Sequence, residues 1–509
     1  MLAKIHSAAL MGISGYMVDV EVDTSQGLPA FEIVGLPDNA VRESKERVRT
    51  AIKNSQFEFP SKRITVNLAP ANTKKEGPAF DLPIAVGILV CMGIIKQQVV
   101  ENTLILGELS LDGAVKCVDG VLPMVFSACE KGIKRCFVPI ENAREAAVVE
   151  GMEVIGISSL YEFIEICIGK RRAEVTEVDI DKLFEESLNN GLDFSDVRGQ
   201  ESVKRALEIA AAGMHNIIMI GPPGSGKTMM AKRIPTILPD LTVNESIEIT
   251  KIYSVAGLLR DRNALITQRP FRSPHHTISN VAMVGGGRVP KPGEVSLAHN
   301  GVLFLDELPE FSRGVLEELR QPLEDGEVTV SRVNGTMTFP ANIMFVASMN
   351  PCPCGYYGYS DKCRCTSTQI NKYMGKVSGP LLDRIDVQIE AAAVDYEDMQ
   401  SSVKPESSAD IKKRVVAAHE IQKQRYRDEN IYFNSQLSAA QTEKYCHLGR
   451  AESELIKAAF ERLNFSARAY HKLLKLARTI ADLDGGGDIN VRHIAEAIQL
   501  RNLDRRLLY

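Results

Sequence analysis

The sequence predicts a multidomain α/β protein whose carboxyl-terminal part is helical. With 509 residues, the chain is long enough for about three domains of roughly 150 residues each. Two regions alternate short β-rich runs with helical patterns, whereas the residues after 395 show helical periodicity only. Charged residues make up 25% and hydrophobic residues 44% of the chain, which are globular values. They exclude a mainly disordered or fibrous protein.

The first region, residues 1–168, is predicted to form an α/β domain. Pro37-Asp38 is a typical helix start and Gly132 a typical helix stop. Across residues 1–168, runs with β-strand periodicity alternate with runs of helix periodicity. Strands are predicted at Met17–Val22, Ile64–Leu68, Thr103–Leu106 and Cys136–Pro139, and helices at Asp38–Asn54, Leu82–Met92 and Leu122–Lys131.

A linker and two further regions are predicted to follow. Residues 169–192 are charged and show no sustained apolar face, so we expect a linker there. A second α/β region covers residues 193–394, and residues 395–509 form a helical domain. Helices in this last part are predicted at Ala409–Glu429, Ser438–Tyr445, Glu452–Leu463, Ala467–Leu483 and Val491–Leu500.

Positive charge is concentrated in the helical region. The overall net charge of −5 excludes a histone-like mode of nucleic-acid binding, but it allows a local basic groove. Residues 401–509 carry a net charge of +5, and the rest of the chain carries −10. Two explanations remain open for this excess, a solvated helix surface and a role in nucleic-acid binding.

Nothing in the sequence predicts a membrane partner. The longest near-apolar run, Leu82–Ile95, has 14 residues, which is too short to span a bilayer. The amino-terminal residues lack the apolar segment and the cleavage site of a secretory signal. We therefore expect a cytoplasmic protein, in which the ten cysteines are reduced or bind metal.

A phosphate-binding loop is predicted between a strand and a helix. The apolar run Asn216–Ile220 precedes it and the helical run Met229–Ile234 follows, which is the context that GxxxxGK[ST] requires. Backbone N–H groups of such a loop surround phosphates, its lysine reaches the β- and γ-phosphates, and its hydroxyl holds Mg²⁺. The alternative is a glycine-rich turn before a helix. The motif consists of Gly221, Pro222, Pro223, Gly224, Ser225, Gly226, Lys227 and Thr228.

Two carboxylates follow a second apolar strand, Val302–Leu305. Because ligands meet the carboxyl ends of parallel strands, Asp306 and Glu307 are expected beside the phosphate loop. Asp306 would orient Mg²⁺ through its water, and Glu307 would polarise the attacking water as general base. The alternative is an acidic helix cap after a buried strand.

A third apolar strand and a later arginine complete the predicted site. The run Ile343–Ser348 leads to Asn350, whose amide is expected to position the attacking water; a turn asparagine is the alternative. Arg384 offers a cation for the charge that develops on a transferred phosphoryl group. For Arg384 the alternative is a surface salt bridge to Asp383 or Asp386.

Four cysteines are clustered directly after Asn350. Four thiolates can bind one tetrahedral Zn²⁺ at about 2.3 Å, so zinc is the predicted ligand. Because their CxC spacing is tighter than the common CxxC, reduced structural thiols and disulfides remain alternatives. A zinc ion here would stiffen the loop that carries Asn350. The four-cysteine cluster consists of Cys352, Cys354, Cys363 and Cys365; the other six cysteines are expected in the core.

These motifs, in this order, resemble those of the AAA+ ATPases. More closely, the run Pro274–Phe311 and the segments NPCPCG and GPLLDRID within Asn350–Asp386 resemble the YifB/ComM family of magnesium-chelatase-like ATPases. The resemblance covers essentially the whole chain. It implies an AAA+ P-loop α/β core at 193–394 with magnesium-chelatase-type insertions, and a carboxyl-terminal helical lid at 395–509.

The same resemblance implies a role for each candidate residue. An arginine finger acts on the ATP of a neighbouring copy, so the family implies a ring, a hexamer. For Arg468, in Ser466-Ala-Arg-Ala, an exposed helix charge is the alternative to the implied role. The implied roles are Walker A for Lys227 and Thr228, Walker B for Asp306 and Glu307, sensor 1 for Asn350, arginine finger for Arg384 and sensor 2 for Arg468.

Two inserted loops of this family are candidate DNA contacts. They correspond to Val284–Gly293 and to Glu327–Phe339, whose Asn334-Gly335 pair is a two-residue hairpin signature. In related ring motors both loops face the central channel and touch DNA. Arg288 and Arg332 are therefore candidate phosphate contacts, with ordinary surface arginines as the alternative.

The amino-terminal region resembles the ribosomal S5 domain 2-like fold that is shared with Lon protease. The segments Lys74–Pro83 and Gly107–Leu122 carry this resemblance. The matching Lon segments hold a Ser–Lys dyad, but here the serine position is Ala79 and the lysine position is Leu122. Since neither nucleophile nor base remains, we expect no peptidase activity.

Together these features predict an ATP-driven ring motor that acts on DNA. The resemblance implies helicase or branch-migration activity in competence and in recombination of transforming DNA. The expected cofactors are ATP, Mg²⁺ and a structural Zn²⁺, and the expected partners are further copies of the chain and single-stranded or branched DNA. A chelatase-type or protein-remodelling ATPase that drives a protein partner is the alternative, although no integrin-like metal-binding domain is present in the sequence. An inactive regulatory ATPase is disfavoured because the hydrolytic residues are present.

Overall fold

The computed structural model describes residues 2–186, 191–259, 264–287, 290–332, 335–359, 361–393, 405–429, 431–463 and 466–501. The chain divides into two units. The first contains residues 1–188 together with 243–267, and the second contains residues 189–242 together with 268–509. The predicted mixed α/β architecture and the helical carboxyl-terminal region are both confirmed.

The first unit is built on a mixed sheet. Among its described residues, seven strands lie in the order β3-β4-β2-β1-β5-β8-β9. β1 pairs with β2 and β2 with β4 in antiparallel register, and the other neighbours are parallel. The strands are β1 (Leu2–Met11), β2 (Ser14–Ser25), β3 (Ala30–Val34), β4 (Arg63–Ala69), β5 (Thr103–Ile105), β8 (Arg135–Pro139) and β9 (Glu153–Ile157), beside a separate pair of β6 (Glu108–Leu109) and β7 (Val115–Lys116).

Helices cover the apolar faces of this sheet. Helix α1 begins at Asn39 because the Asp38 carboxylate accepts a hydrogen bond from the Val41 N–H, as the helix start signal predicts. Helix α2 is buried along its whole length against β1 and β2, in keeping with its uninterrupted apolar sequence. The helices are α1 (Asn39–Asn54), α2 (Asp81–Cys91), α3 (Gln97–Val100), α4 (Val121–Glu130), α5 (Ala143–Ala146), α6 (Leu160–Cys167) and α7 (Ile180–Glu186).

Helix α7 lies within the segment that the sequence predicts to be a linker. Its Ile180, Leu183 and Phe184 side chains are partly buried against the core of the first unit. These positions share one helix face, because residues three and four apart are neighbours on a helix. Because charged residues surround this short apolar face, the composition of the segment predicts a linker and not a packed helix.

One helix of the first unit comes from the middle of the chain. Helix α10 (Val243–Ala256) packs against α4, and the Ser254 carbonyl accepts a hydrogen bond from the Gly120 N–H at 3.1 Å. Ala264 and Leu265, further along the same segment, are buried in the same apolar cluster. The sequence predicts one continuous second region at 193–394, whereas residues 243–267 pack with the first unit.

The second unit contains a parallel sheet. In the described part of the chain, five strands lie in the order β11-β14-β17-β10-β18, all parallel. β10, β14 and β17 are entirely buried, which explains their continuous apolar sequences. The strands are β10 (Ile217–Ile220), β11 (Phe271–Arg272), β14 (Val302–Leu305), β17 (Met344–Met349) and β18 (Val387–Glu390).

Short helices and two small hairpins surround this sheet. β15 (Glu327–Arg332) and β16 (Gly335–Pro340) form an antiparallel hairpin at the position where the Asn334-Gly335 signature predicts one, although Asn334 lies outside the described residues. The other elements are α8 (Glu201–Gly213), α9 (Lys227–Ala231), α11 (Asn280–Val284), β12 (Gly285–Gly286), β13 (Lys291–Pro292), α12 (Glu294–Leu297), α13 (Arg313–Glu318), α14 (Pro322–Asp325), α15 (Ser367–Met374) and α16 (Gly379–Leu382).

The carboxyl-terminal part of the second unit is helical and shares its core with the sheet. Leu473, Ala477 and Ile480 of one long helix are buried in the same apolar cluster as Ile217 and Met219 of β10. The helices are α17 (Ser408–Arg425), α18 (Ala439–Tyr445), α19 (Arg450–Leu463), α20 (Ala467–Leu483) and α21 (Val491–Gln499), close to the predicted bounds. Of the helices in the described ranges, none combines the length and apolar character that a membrane crossing requires.

Candidate functional site

Three polar segments meet at the carboxyl edge of the parallel sheet. The phosphate loop begins at Gly221 after β10, Asp306 follows β14, and Asn350 follows β17. The register pairs Ile220 with Met349 and Leu305 with Ala347, so the strands end close together. Ligands of open parallel sheets bind at this edge.

The phosphate loop is packed too tightly for side chains at its first residue. A Cβ atom on Gly221 would lie 2.1 Å from the Ala391 carbonyl oxygen, which follows β18. Gly226 has φ of 82°, a left-handed conformation, and it precedes the first residue of α9. Glycine is therefore required at both positions, and the resulting bend exposes backbone N–H groups as phosphate binding needs.

Lys227 is held inside this loop. Its Nζ donates hydrogen bonds to the carbonyl oxygens of Gly221 at 2.8 Å and Pro222 at 2.9 Å, and lies 3.4 Å from Asn350 Oδ1. Burial lowers the pKa of Lys227 because it disfavours the ammonium form, while the negative charges of Asp306 and Glu307 oppose that shift. The lysine is thus already oriented where a phosphate would replace the carbonyl partners.

Thr228 and Asp306 form the adjacent oxygen pair. The Thr228 hydroxyl donates to Asp306 Oδ2 at 2.6 Å, and the Ser348 hydroxyl donates to Asp306 Oδ1. Hydroxyl and carboxylate oxygens are the ligands that suit Mg²⁺. Ser348 was not among the predicted site residues. A hydroxyl within an otherwise apolar strand, two residues before Asn350, could have indicated it.

Glu307 has an unusual backbone conformation. Its φ of 54° is left-handed, which for a residue other than glycine is strained by about 1–3 kcal/mol. The Asp306 carboxylate accepts from the Glu307 N–H at 3.1 Å, which helps to hold this conformation. The Glu307 side chain is exposed, in line with the predicted task of contacting a water molecule.

Arg384 lies at the opposite, amino edge of the sheet. Its carbonyl accepts from the Asn216 side chain at 3.0 Å, and Asn216 immediately precedes β10. The four residues of β10 separate the two edges by roughly 13 Å, at about 3.3 Å per residue. The Arg384 guanidinium donates to the Arg320 carbonyl at 2.9 Å and pairs with Glu324, rather than with the Asp383 or Asp386 that the sequence offers.

Arg468 shares the same carboxylate. Its Nη2 lies 3.2 Å from Glu324 Oε1, and its side chain is 58% exposed. Glu324, on α14, therefore binds both arginines that the family resemblance assigns to hydrolysis. This glutamate was not a predicted site residue, and no sequence motif marks it.

A buried ion pair anchors the amino edge. Asp386 lies 2.9 Å from Lys472 Nζ on α20 and 3.6 Å from His215 Nδ1, and it accepts from the Asn216 N–H at 3.1 Å. Burial favours the neutral acid, but Lys472 and His215 outweigh it and hold the pKa of Asp386 well below its usual range.

The four thiols of the four-cysteine cluster face one another. Cys352 Sγ lies 3.3 Å from Cys354 Sγ and 3.8 Å from Cys363 Sγ, and the latter two are 3.6 Å apart. All four Sγ atoms of the cluster lie within 4.8 Å of one another. Cys352 is fully buried, whereas Cys354 is exposed. The arrangement is compatible with a metal ion.

The remaining candidates are only partly described. Arg288 lies outside the described residues, and for Arg332 only its backbone place at the end of β15 is described. In the first unit, Leu122 is fully buried, and Ala79 packs against the same apolar cluster. The positions that match the Lon dyad thus hold two apolar side chains in a core.

Comparisons with known proteins identify the family. A family model described as magnesium chelatase, subunit ChlI matches residues 193–399, and two further ChlI models match residues 20–142 and 405–501. The competence protein ComM of Haemophilus influenzae is 43% identical over 509 residues, with 99% of this chain and 98% of that protein covered. The YifB protein of Escherichia coli is 41% identical over 511 residues, covering 100% and 98%.

The chain belongs to the YifB/ComM family of magnesium-chelatase-like AAA+ ATPases. The expected resemblance is thereby confirmed over the full length. Lon protease 2 of Bacillus subtilis is 25% identical over 170 residues, 30% of each chain, so the likeness to Lon is partial. Membership in this AAA+ family implies ATP and Mg²⁺ as ligands and points to oligomeric assembly.

Proposed function

We propose that this protein hydrolyses ATP in a ring of identical chains and uses the energy to move DNA. The observation that carries the proposal is the set of contacts at the carboxyl edge. There Lys227 meets Asn350 and Thr228 meets Asp306 in one phosphate-binding cradle. The proposed ligand set is Gly221–Thr228 for the phosphates, with Thr228 and Asp306 for Mg²⁺.

The residues present fit a nucleotide and its metal. The start of the loop is packed against Ala391, whereas the space beside Gly224 is open within 4 Å, as the approach of a phosphate requires. The paired oxygens of Thr228 and Asp306 provide a hard-cation site. These two residues would hold Mg²⁺, which would supply positive charge against the charge that develops on the phosphates.

Each side chain then has one task in the reaction. Glu307 accepts a proton from the attacking water. The oxygen of that water bonds to the γ-phosphorus while the bond from the γ-phosphorus to the leaving ADP oxygen breaks. Asn350 orients that water, and Lys227 exchanges its carbonyl partners for the β- and γ-phosphate oxygens. Burial lowers the pKa of Lys227, and the negative charge of a bound phosphate would raise it again because that charge favours the ammonium form.

The arginines are proposed to act on the neighbouring copy. Arg384 lies beyond the amino end of β10, on the far side of the sheet from Lys227 of its own chain, and Arg468 is bound to the same glutamate as Arg384. We infer that a cation so placed acts on the phosphate loop of a neighbouring chain. Both arginines therefore support a ring, of six copies by family resemblance, in which Arg384 is the arginine finger and Arg468 is sensor 2.

DNA is the proposed partner for three reasons. The similarity to a competence protein, the hairpin β15–β16 with Arg332 at its end, and the net charge of +5 in residues 401–509 each support it. Arg288 and Arg332 remain proposed phosphate contacts. A protein partner is the second candidate, and the match to magnesium chelatase subunit models favours it.

The finer fold assignments are also proposals. The partial likeness to Lon proteases supports an S5 domain 2-like, non-proteolytic domain at residues 1–168. The helices α17–α21 support a lid domain at residues 395–509. Residues 169–192 remain the proposed linker, although α7 within it packs against the first unit. The proposed ATPase core is 193–394, interrupted by residues 243–267, which belong to the first unit. The cytoplasm is the proposed location.

The test measures ATP hydrolysis with and without single-stranded, duplex and four-way-junction DNA. Lys227→Ala should lower hydrolysis by about 10²–10³, because it removes a preorganised donor to the phosphates. Lys232→Ala, an exposed lysine at the end of α9, is the matched control. Stimulation by DNA that falls steeply with salt supports the motor on DNA. Hydrolysis that no DNA stimulates, together with no salt-sensitive DNA binding, contradicts it and favours a protein partner.

A further inference from the structure

We propose that the four-cysteine cluster binds one Zn²⁺ ion, and that this ion fixes the shape of the nucleotide site beside it. The first half concerns a metal site and stands on the cysteines alone. The second half, a linkage between zinc and nucleotide, rests on the proposed function.

The spacing of the sulfur atoms suits a single tetrahedral ion. Four sulfurs placed 2.3 Å from a tetrahedral centre lie about 3.8 Å from one another, by the geometry of structural zinc sites. The three Sγ–Sγ distances of 3.3, 3.6 and 3.8 Å are near this value. A disulfide needs sulfurs about 2.05 Å apart, so the thiols surround a common centre instead of forming two pairs.

The backbone around Cys352 orients its sulfur. The Tyr357 N–H donates to the Cys352 sulfur at 3.4 Å, and the Gly355 N–H closes a turn by donating to the Cys352 carbonyl at 2.9 Å. Hydrogen bonds from the surrounding chain to a ligand atom hold that atom in place. The turn Cys352–Gly355 therefore fixes the position of one of the four sulfurs.

Regular secondary structure does not hold the four sulfurs together. In its described residues, the chain between β17 and α15 contains neither helix nor strand. Cys352 is buried, whereas Cys354 is exposed and Cys363 and Cys365 are partly exposed, so three of the four sulfurs lie outside the apolar core. Where a segment lacks a core of its own, metal binding supplies the free energy of folding.

This segment touches the nucleotide site at two points. Asn350, two residues before Cys352, lies 3.4 Å from Lys227 Nζ. A Cβ atom on Gly355 would lie 2.5 Å from Pro223 Cδ, so the backbone at Gly355 rests directly on the phosphate loop. Displacement of the cysteines would therefore move both Asn350 and the support of Pro223.

The far end of the segment is tied to a helix. Cys365 directly precedes Thr366, whose hydroxyl accepts a hydrogen bond from the Gln369 N–H. In return, Gln369 Oε1 accepts a hydrogen bond from the Thr366 N–H. This capping box fixes the start of α15. One ion would thus connect three elements, namely the end of β17, the phosphate loop and α15.

The first experiment measures metal content and needs no nucleotide. Purified full-length protein should contain about one zinc per chain, and replacement by Co²⁺ should give the near-ultraviolet thiolate charge-transfer bands and the visible d–d bands of a tetrahedral site. The variant C354S/C363S should lose the metal, whereas C117S, which removes an exposed cysteine outside the cluster, should keep it. Zinc well below one per chain in metal-replete wild-type protein, or two disulfides in its intact mass, overturns the site.

The second experiment measures linkage on wild-type protein. The affinity for a fluorescent ADP analogue should fall about five-fold or more when a chelator removes zinc, and should return when zinc is added back. Because linkage is reciprocal, ADP should tighten zinc binding against a chromophoric chelator by the same factor. Equal nucleotide affinities with and without zinc overturn the linkage. Zinc at one per chain with no nucleotide binding contradicts the proposed ATPase but leaves the metal site standing.

Discussion

The two edges of the parallel sheet carry different parts of one proposed reaction. At the carboxyl edge, Lys227 lies beside Asn350 and Thr228 donates a hydrogen bond to Asp306, all within a single chain. At the amino edge, Arg384 and Arg468 are bound to Glu324. The first set of contacts surrounds the phosphate loop, whereas the two arginines of the second set are held by one glutamate near the opposite ends of the strands. The proposal that a neighbouring chain supplies the arginines to each site rests on this difference.

The largest expected effect tests whether the amino edge acts in trans. Arg384→Ala should lower ATP hydrolysis by about 10³–10⁵, as measured for arginine fingers, while nucleotide binding persists. Arg313→Ala, an exposed arginine at the start of α13, should leave the rate unchanged.

Mixing two inactive variants makes this prediction sharper. A ring that contains both Lys227→Ala and Arg384→Ala chains includes interfaces where an intact carboxyl edge meets an intact Arg384. Hydrolysis should therefore reappear on mixing, up to about a quarter of the wild-type rate if half of each kind assembles at random. No recovery in mixed rings, with assembly verified by light scattering, would contradict action in trans.

The carboxyl edge is tested next through its exposed acid. Glu307→Gln should lower the hydrolysis rate by about 10²–10⁴, because the amide cannot accept the proton of the attacking water. Affinity for ATP should stay near the wild-type value, since the Glu307 side chain is exposed and the Glu307 N–H is bonded to the Asp306 and Ser348 side chains. Glu310→Gln, three residues later and paired with Lys376, is the matched control. Equal losses in both variants would argue against a general base at Glu307.

The contrast between the edges also explains what the sequence could predict. The residues of the carboxyl edge lie in short contiguous motifs, and each motif follows an apolar run that predicts a buried strand. The rule that parallel strands end at one edge then places Lys227, Asp306 and Asn350 together. The predicted strands and the helices of the carboxyl-terminal region follow from periodicity in the same way, because local patterning decides them.

The amino edge depends on contacts between distant residues, which no local pattern reveals. Glu324 is 60 residues from Arg384 and 144 from Arg468. The sequence pattern of α10 indicates a helix, but it does not indicate the partner. The packing of α10 against α4 of the first unit joins residues that are distant in the sequence. Ser348 lies between these cases, since its position was predictable and its bond to Asp306 was not.

The buried pair at the amino edge should contribute to stability and not to chemistry. Lys472→Met keeps the apolar stem but leaves Asp386 without its cation, which should lower the free energy of unfolding by about 3–5 kcal/mol. Lys457→Met, on the exposed face of α19, is the control. Urea unfolding of both variants measures the difference.

The pH dependence of the same pair has a definite sign. Because the folded pKa of Asp386 is held below its unfolded value of about 3.9, its contribution is present above that pH and is lost as the pH falls further. Acid should therefore destabilise wild-type protein more than Lys472→Met below that value. Parallel acid curves would show that Asp386 is not the group responsible.

The smallest effect concerns Glu324, which determines whether the amino edge is ready or restrained in a free chain. If the arginines must leave Glu324 to reach a neighbouring phosphate, Glu324→Gln removes a competing partner. Exposed ion pairs are worth about 0–1 kcal/mol each, so hydrolysis at low protein concentration should rise up to about five-fold. Glu317→Gln, which removes the α13 carboxylate paired with Arg320, should have no such effect. A fall in the rate for Glu324→Gln alone would instead mean that Glu324 holds Arg384 and Arg468 in their working positions.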